Sequence, residues 1–482
     1  MATNAFNQLE HIVVLILENR SFDHMLGYLY AEEKNRSPTG QEFDGLTGDK
    51  SCPNGKAGPV RVFRIDSGTP NAYFMPGADP GEGYNATNVQ LFGSITAPAS
   101  APTAGGNQGF VNDFSYTMEW EQKKGNWKIE PGTSGASIMG MFTPEMLPVL
   151  SGLARGYAVC DQWFGSAPTE TLPNRAFACS ATSQGHMDDK TKSFTAPSIF
   201  GRLSEAGKSW SVYGYTTEPL TRHNFTDTTN ADDAHFGLFS DFQAAAANGS
   251  LAAFTFLEPS WGENGNSQHP VGDVALGEQL IHDVYYALRN GPHWPQTLLI
   301  ITYDEHGGCY DHVAPPWTAT PPDNSVGEYG FDFRRFGPRV PAVLVSPFIA
   351  AGTVFRVEQD QTPLDHTAIL KTVQERWGLA PLTARDKAAC SVGAALTLAE
   401  ARTDDPLAGI QVPASAGQNP LLGQPSHLQL VHAELVSSLP VPDAHGGARH
   451  VMPTFASGAE CDSYIQQRTE AWKIARRRPE EA

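Results

Sequence analysis

Positive charge is scarce in this sequence of 482 residues. Thirty-three Lys and Arg stand against 52 Asp and Glu, a formal net charge of −19. Nucleic-acid binding rests on Lys and Arg neutralising phosphates, so this balance argues against it. The one basic cluster, residues 476–478, falls in the final stretch and reads as a solvated tail. Cysteine is sparse as well: six residues, scattered, with no CxxC. That pattern supports neither a disulfide framework nor a cysteine-held zinc. Long apolar runs are missing too. The first residues, MATNAFNQLEHIVV, carry no basic region ahead of their short apolar run. No secretory signal and no transmembrane helix are expected. A cytoplasmic protein is the default expectation, with signal-less export left open.

What is plentiful is chain length, glycine (46) and proline (36). The length allows one large domain plus a smaller one. The run at residues 12–17, IVVLIL, reads as a strand buried on both faces. It breaks directly into Glu18 and Asn19. Residues 298–302, LLIIT, repeat the arrangement and run through Tyr303 into Asp304 and Glu305. Open α/β sheets bind ligands beyond the carboxyl ends of their strands, and paired oxygen ligands there suit a hard divalent cation. Solvated strand ends are the plain alternative.

Further buried strands are expected at 158–160, 209–213, 253–257 and 340–345. Helices fit 22–30 (capped by Ser21 or Asn19), 144–154, 173–181, 273–290 and 364–377. Strands alternating with helices predict an α/β fold, a mainly parallel sheet sandwiched by helices. Residues 32–107 are rich in Gly, Pro, Asn and Asp, and read as loops layered over the strand ends. From about residue 385 the pattern weakens, 413–424 reads as linker, and a last helix is expected within 457–478. The expected division is a catalytic domain at 1–388, with a loop-rich insertion at 32–140, and a small C-terminal region at 389–482.

The segment SAPTETLPNR, residues 166–175, joins the strand near Asp161 to a helix expected to begin near Pro173. Thr171 then lies just before a helix N-terminus, where unpaired N–H groups favour phosphate. Its hydroxyl is either a nucleophile activated by a metal or a helix cap.

Taken together, ENRSFDH, DQWF, TETLPNR, SQHP, TYDEHGGCYDHV and GPRVPAVLVSPF resemble the phospholipase C and acid phosphatase family, within the wider alkaline-phosphatase-like superfamily. The likeness is greatest to plant-type non-specific phospholipases C, and runs in order from about His11 to Asp386. The resemblance implies an alkaline-phosphatase-like fold and a hydrolase of phosphate esters. It implies metal-binding roles for Glu18, Asn19, Asp304 and Glu305. Thr171 matches the nucleophile, which also touches the metal, and His269 matches a histidine on the phosphoryl group. One divalent cation is implied. An oxygen-only shell favours calcium, magnesium or manganese on hardness, and the sequence does not choose among them or exclude zinc.

His269 is read as the proton donor to the leaving group, with a loop-capping histidine as the alternative. His235 is a second candidate for contact with substrate. His24, His306, His312 and His366 either brace the site or touch substrate. One departure stands out. Relatives carry histidine in a DPGH stretch near the phosphate, where this chain reads DPGEGY and places Glu82. A second histidine, common three residues after the one in the HP motif, is Gly272 here. A carboxylate beside phosphate repels it unless protonated or bound to a cation. Glu82 is expected to fold back over the strand ends and bind a second cation, pair with a basic residue, or meet a cationic part of the substrate. The leading expectation is phospholipase C-type cleavage of a phosphodiester through a phosphothreonine. The alternatives are a phosphomonoesterase of acid-phosphatase type and a non-catalytic phosphate-ligand binding protein. The substrate is a phosphate ester or phospholipid, and the oligomeric state is open.

Overall fold

The computed structural model describes residues 4–102, 106–125, 128–441 and 451–477. The central sheet has eight strands: β1 (His11–Leu17), β2 (Ala158–Val159), β3 (Trp210–Gly214), β4 (Phe236–Leu238), β5 (Phe254–Leu257), β6 (Thr297–Tyr303), β7 (Ala342–Val345) and β8 (Thr353–Val354). Their order across the sheet is β8-β2-β7-β6-β1-β5-β3-β4. Every residue of β1 and β6 is buried, as expected of strands covered on both faces. All neighbouring pairs are parallel except those of β7, which runs against both β6 and β2. The reason lies in the connection. The chain leaves β6 at the rim, stays over that rim through residues 304–341, and descends again as β7 with no helical crossover. Only an antiparallel return can be made that way.

The helices that bear on the site and its support are α1 (Phe22–Leu26), α2 (Tyr84–Phe92), α3 (Phe110–Lys123), α4 (Pro148–Gly156), α5 (Thr171–Ser180), α6 (Ile199–Glu205), α7 (Phe239–Asn248), α8 (Val274–Arg289), α9 (Thr367–Trp377), α10 (His427–Ser437) and α11 (Gly458–Arg477). Six of them form two packed groups, α4 with α8 and α7, and α5 with α9 and α6, while α2 packs on α3 and α10 on α11. Among the described residues, no helix is long and apolar enough to cross a membrane.

Several boundaries differ from the sequence expectation. The stretch at 32–107 is not loops alone, because it contains α2. In α3, which follows it, Phe110, Val111 and Phe114 enter a second apolar core with Tyr28, Met141 and Tyr310. Flanking Gly, Pro and Asn hide this periodicity in the sequence. Helix α4 starts at Pro148 rather than Pro144, and α9 starts at Thr367, because Leu364–Asp365 pairs as a short strand with Trp163–Phe164. The main core continues past residue 388 through Val392, Ala395, Leu396 and Leu407. Leu428, Val431 and Leu435 of α10 pack against Leu172, Leu220 and Trp261, so the C-terminal region rests on the helix that begins at Thr171. Arg476 and Arg477 of the basic tail are exposed, as the sequence suggests, and their side chains still find partners. Arg476 donates to the carbonyls of Thr229, Asn230 and Ala231, and Arg477 pairs with Asp233 at 2.7 Å. Arg478 lies outside the described residues.

Candidate active site

β1 and β6 are hydrogen-bonded neighbours with Leu17 opposite Tyr303. Glu18–Asn19 and Asp304–Glu305 therefore leave the sheet side by side at one rim. Asn19 turns the chain there in the left-handed region (φ 53°), a conformation asparagine tolerates. Its backbone N–H then donates to Asp304 Oδ1 at 2.9 Å. Gly307 lies tight against this turn. A Cβ on Gly307 would fall 2.0 Å from the Asn19 carbonyl oxygen, so only glycine fits.

Thr171 is buried, and it is the first residue of α5 rather than the residue before it. The helix starts two residues earlier than Pro173 suggested. Thr171 Oγ1 donates to Asn19 Oδ1 at 3.1 Å. It does not cap the helix. Glu170 occupies the cap position, and the N–H of Leu172 goes to Asp189 Oδ1 at 2.6 Å. The carboxylate of Asp189 thus fills the place at the helix end where an anion is favoured.

Glu82 lies in this chamber, as its place in DPGEGY suggested, and Asn19 Nδ2 donates to its Oε2 at 2.5 Å. Among the described residues, no ion pair joins it to a basic side chain. Burial, Glu305 and Asp79 push its carboxyl well above the ordinary range. The other acids respond in the same way. Burial, less opposing His269, raises Glu18 to about 7. Burial and then Asp304 raise Glu305. Burial takes Asp189 to about 7 and Glu170 to about 8. Carboxylates crowded in low dielectric call for a proton or a cation.

Against them stand Arg175 and His269. Arg175 Nε donates to Asp304 Oδ2 at 2.9 Å, and its Nη2 reaches the carbonyls of Ile16 and Leu17 at 3.1 Å each. The side chain thereby pins α5 to the end of β1. His269 Nδ1 donates to the Pro270 carbonyl at 2.9 Å, which leaves Nε2 facing the acids. Burial lowers its pKa, but Asp79 and Glu18 outweigh this and the net shift is upward. Arg20, fully buried, holds the loop of His269 through the carbonyls of Gln268 at 2.6 Å and His269 at 3.3 Å.

The donor set fits a hard cation in chemistry. Glu305 Oε1 is buried with no hydrogen-bond partner, and Glu18, Glu82, Asp189 and Glu170 are pushed upward. The fit is looser in geometry. Asp304 is taken up by Arg175, the N–H of Asn19 and that of Glu305 (2.8 Å). Among the described residues, Glu18, Asp304 and Glu305 do not bring three ligand atoms within 4.8 Å of one another, whereas Asp79, Glu82 and His269 do.

The remaining candidate histidines have structural partners. His366 Nε2 donates to the Asp304 carbonyl at 2.5 Å while its Nδ1 accepts from Trp163 Nε1 at 3.3 Å. His24 bonds the Gly140 carbonyl, His306 bonds Gln90, and His312 bonds Asp23 at 2.7 Å. His235 is not in the site. It stacks flat on Trp210, with ring centroids 3.8 Å apart, beside the edge strand β4. Asp79, Arg20, Glu170, Arg175 and Asp189 carried no assigned role in the sequence, although the first four fall within the quoted motifs. Arg175 ends the TETLPNR motif, where the signal was available. Asp189 sits in GHMDDK and is brought in by folding alone.

A model of the Phosphoesterase family matches residues 9–380. Non-specific phospholipase C1 of Arabidopsis thaliana is 36% identical over 400 residues, covering 78% of this chain and 69% of that protein. Phospholipase C A of Mycobacterium tuberculosis (strain ATCC 25618 / H37Rv) is 27% identical over 420 residues, covering 77% of this chain and 73% of that protein. Among solved structures, a protein in the alkaline phosphatase superfamily from Vibrio parahaemolyticus overlaps 52% of this chain and 65% of its own, at 13% identity and a TM-score of 0.33. The chain belongs to the Phosphoesterase family and is a hydrolase acting on phosphoester bonds.

Proposed function

We propose that the chain is a metal-dependent phosphodiesterase of phospholipase C type that works through a phosphothreonine. The observation that carries this reading is Thr171 Oγ1 held 3.1 Å from Asn19 Oδ1, at the start of a helix and within a rim of acids. A divalent cation held by Glu18, Asn19, Asp304 and Glu305 would supply the positive charge that favours the Thr171 alkoxide and balances the phosphoryl oxygens.

The protein's own groups divide the remaining work. Thr171 loses its proton to solvent and its oxygen bonds to phosphorus. The bond from phosphorus to the leaving alcohol breaks, and His269 hands that alcohol a proton from Nε2. Water then attacks phosphorus and gives a proton back to His269 Nε2, the bond to Thr171 breaks, Thr171 regains its proton from solvent, and a phosphate monoester departs. Arg175 keeps Asp304 and the start of α5 in register throughout. Glu82 biases the site against dianions. A bound cation favours its ionised form, which opposes the second charge of a monoester more than the single charge of a diester.

The test compares para-nitrophenylphosphorylcholine with para-nitrophenyl phosphate, with and without chelator. Faster turnover of the diester, lost on chelation and restored by a divalent cation, is the expected result. Faster turnover of the monoester would replace this reading with the acid-phosphatase type, and indifference to chelator would remove the metal.

A further inference from the structure

Three consecutive residues connect the acidic chamber to a second feature of the surface. Glu82 faces Asn19 within the chamber. Gly83 lies against Glu170, the residue before Thr171; a Cβ on Gly83 would sit 2.6 Å from Glu170 Oε1. Tyr84 then opens α2 and forms a wall of a cavity of about 450 Å³. That volume lies within the range of small-molecule sites. The other walls include Ile95, Trp317, Tyr329, Phe331 and Arg335.

The lining is organised. Tyr84 stacks on Tyr329 with centroids 5.2 Å apart, and meets Phe331 at 5.4 Å. Tyr329 takes up this position with φ at 56°, a costly conformation for an aromatic residue. It remains 58% exposed, and Ile95, also in the lining, is 63% exposed. An exposed apolar rim around an aromatic cavity marks a binding surface rather than ordinary scatter. Charge selects the occupant. The guanidinium of Arg335, itself buried, lies 4.9 Å from the ring of Phe92 and 5.3 Å from that of Trp317. It already takes the ring faces on that side, and it repels a second cation. Asp332 also lines the cavity and is paired with Arg334 at 3.7 Å. With that charge balanced, Arg335 disfavours a quaternary ammonium, which aromatic rings would otherwise attract, and the rings and Ile95 suit uncharged hydrocarbon.

We infer that this cavity seats an acyl chain of the lipid substrate while the phosphoryl group lies at Thr171. The inference rests on the phospholipase C reading and adds the part of the substrate that reading leaves open. Glu82 in the chamber and Tyr84 in the cavity wall are two residues apart, and Gly83 between them abuts Glu170, the neighbour of Thr171, so chain binding there orients the ester.

The test uses the double substitution Ile95→Ser with Tyr329→Ser, both at exposed positions. Its readout is kcat/KM for dioctanoylphosphatidylcholine divided by that for para-nitrophenylphosphorylcholine, which has no acyl chain. Removing two apolar contacts should lower this ratio about tenfold. An unchanged ratio overturns the inference, whether both rates fall together or neither does. If the unsubstituted protein cleaves neither diester, the reading of the reaction has failed and binding decides the seat. Monomeric dodecylphosphocholine should then change the tryptophan fluorescence of the unsubstituted protein, and not that of Trp317→Phe or of the double variant. Absence of that change overturns the seat.

Discussion

Thr171 and Glu82 share one partner, Asn19, which accepts from the first and donates to the second. Thr171→Ala removes a hydroxyl but no cap, because the N–H of Leu172 stays on Asp189. The stability cost should be about 1 kcal/mol, that of a single hydrogen bond, while turnover falls to background. Steady-state rates beside a denaturation curve check this, and a variant with native turnover would remove Thr171 as nucleophile. Glu82→Gln keeps an acceptor for Asn19 and deletes the charge. The ratio of monoester to diester turnover should rise about tenfold if that charge repels dianions. An unchanged ratio would mean that Glu82 plays no part in the choice.

At the scale of elements, α4 has an unusual start. Its N–H groups at Val149 and Leu150 are received by the carboxyl of Glu278, from α8, at 2.6 and 3.0 Å. No local residue supplies this cap, which explains why the sequence placed the helix start four residues early. Glu278 is fully buried. Burial lifts its pKa from 4.5 to about 8, although the two N–H groups pull it down. A carboxyl with a higher pKa in the folded state stabilises most when protonated. Its contribution is greatest below about 4.5, declines as the pH climbs toward about 8, and is level above that. Glu278→Gln retains an acceptor and lacks that decline. Urea midpoints at pH 5 and pH 8 should show the variant gaining on the unsubstituted protein at the higher pH. An equal offset at both would contradict the assignment.

For the whole molecule, the dominant electrostatic fact is a formal charge of −19 with a knot of acids at its centre. Any cation that binds the folded state alone stabilises it by mass action, by about 2.7 kcal/mol at one hundred times Kd. Millimolar calcium, magnesium or manganese should raise Tm by several degrees, and chelator should reverse it. Thr171→Ala should keep most of this response, and Glu305→Gln should lose it. A Tm indifferent to every divalent cation would exclude a resident metal at the rim.

Much of this was legible in the chain. The aliphatic runs at 12–17 and 298–301 read as strands covered on both faces, and they form the bodies of His11–Leu17 and Thr297–Tyr303; their ends placed Glu18, Asn19, Asp304 and Glu305 at one rim. SAPTETLPNR placed Thr171 at the mouth of a helix, because glycine, proline and capping chemistry act over a few residues. What the chain could not disclose depends on contacts between residues far apart in sequence. His235 reads as a site histidine until stacking on Trp210 carries it to the sheet edge. Asp189 has no motif until it meets the start of α5, and Glu278 no role until α8 packs on α4. The cavity of Tyr84, Ile95, Trp317 and Tyr329 joins segments more than 200 residues apart. Backbone propensity and binary patterning are local and survive in the sequence. Burial, pKa and the partner of each polar group arise only when the sheet brings distant segments together.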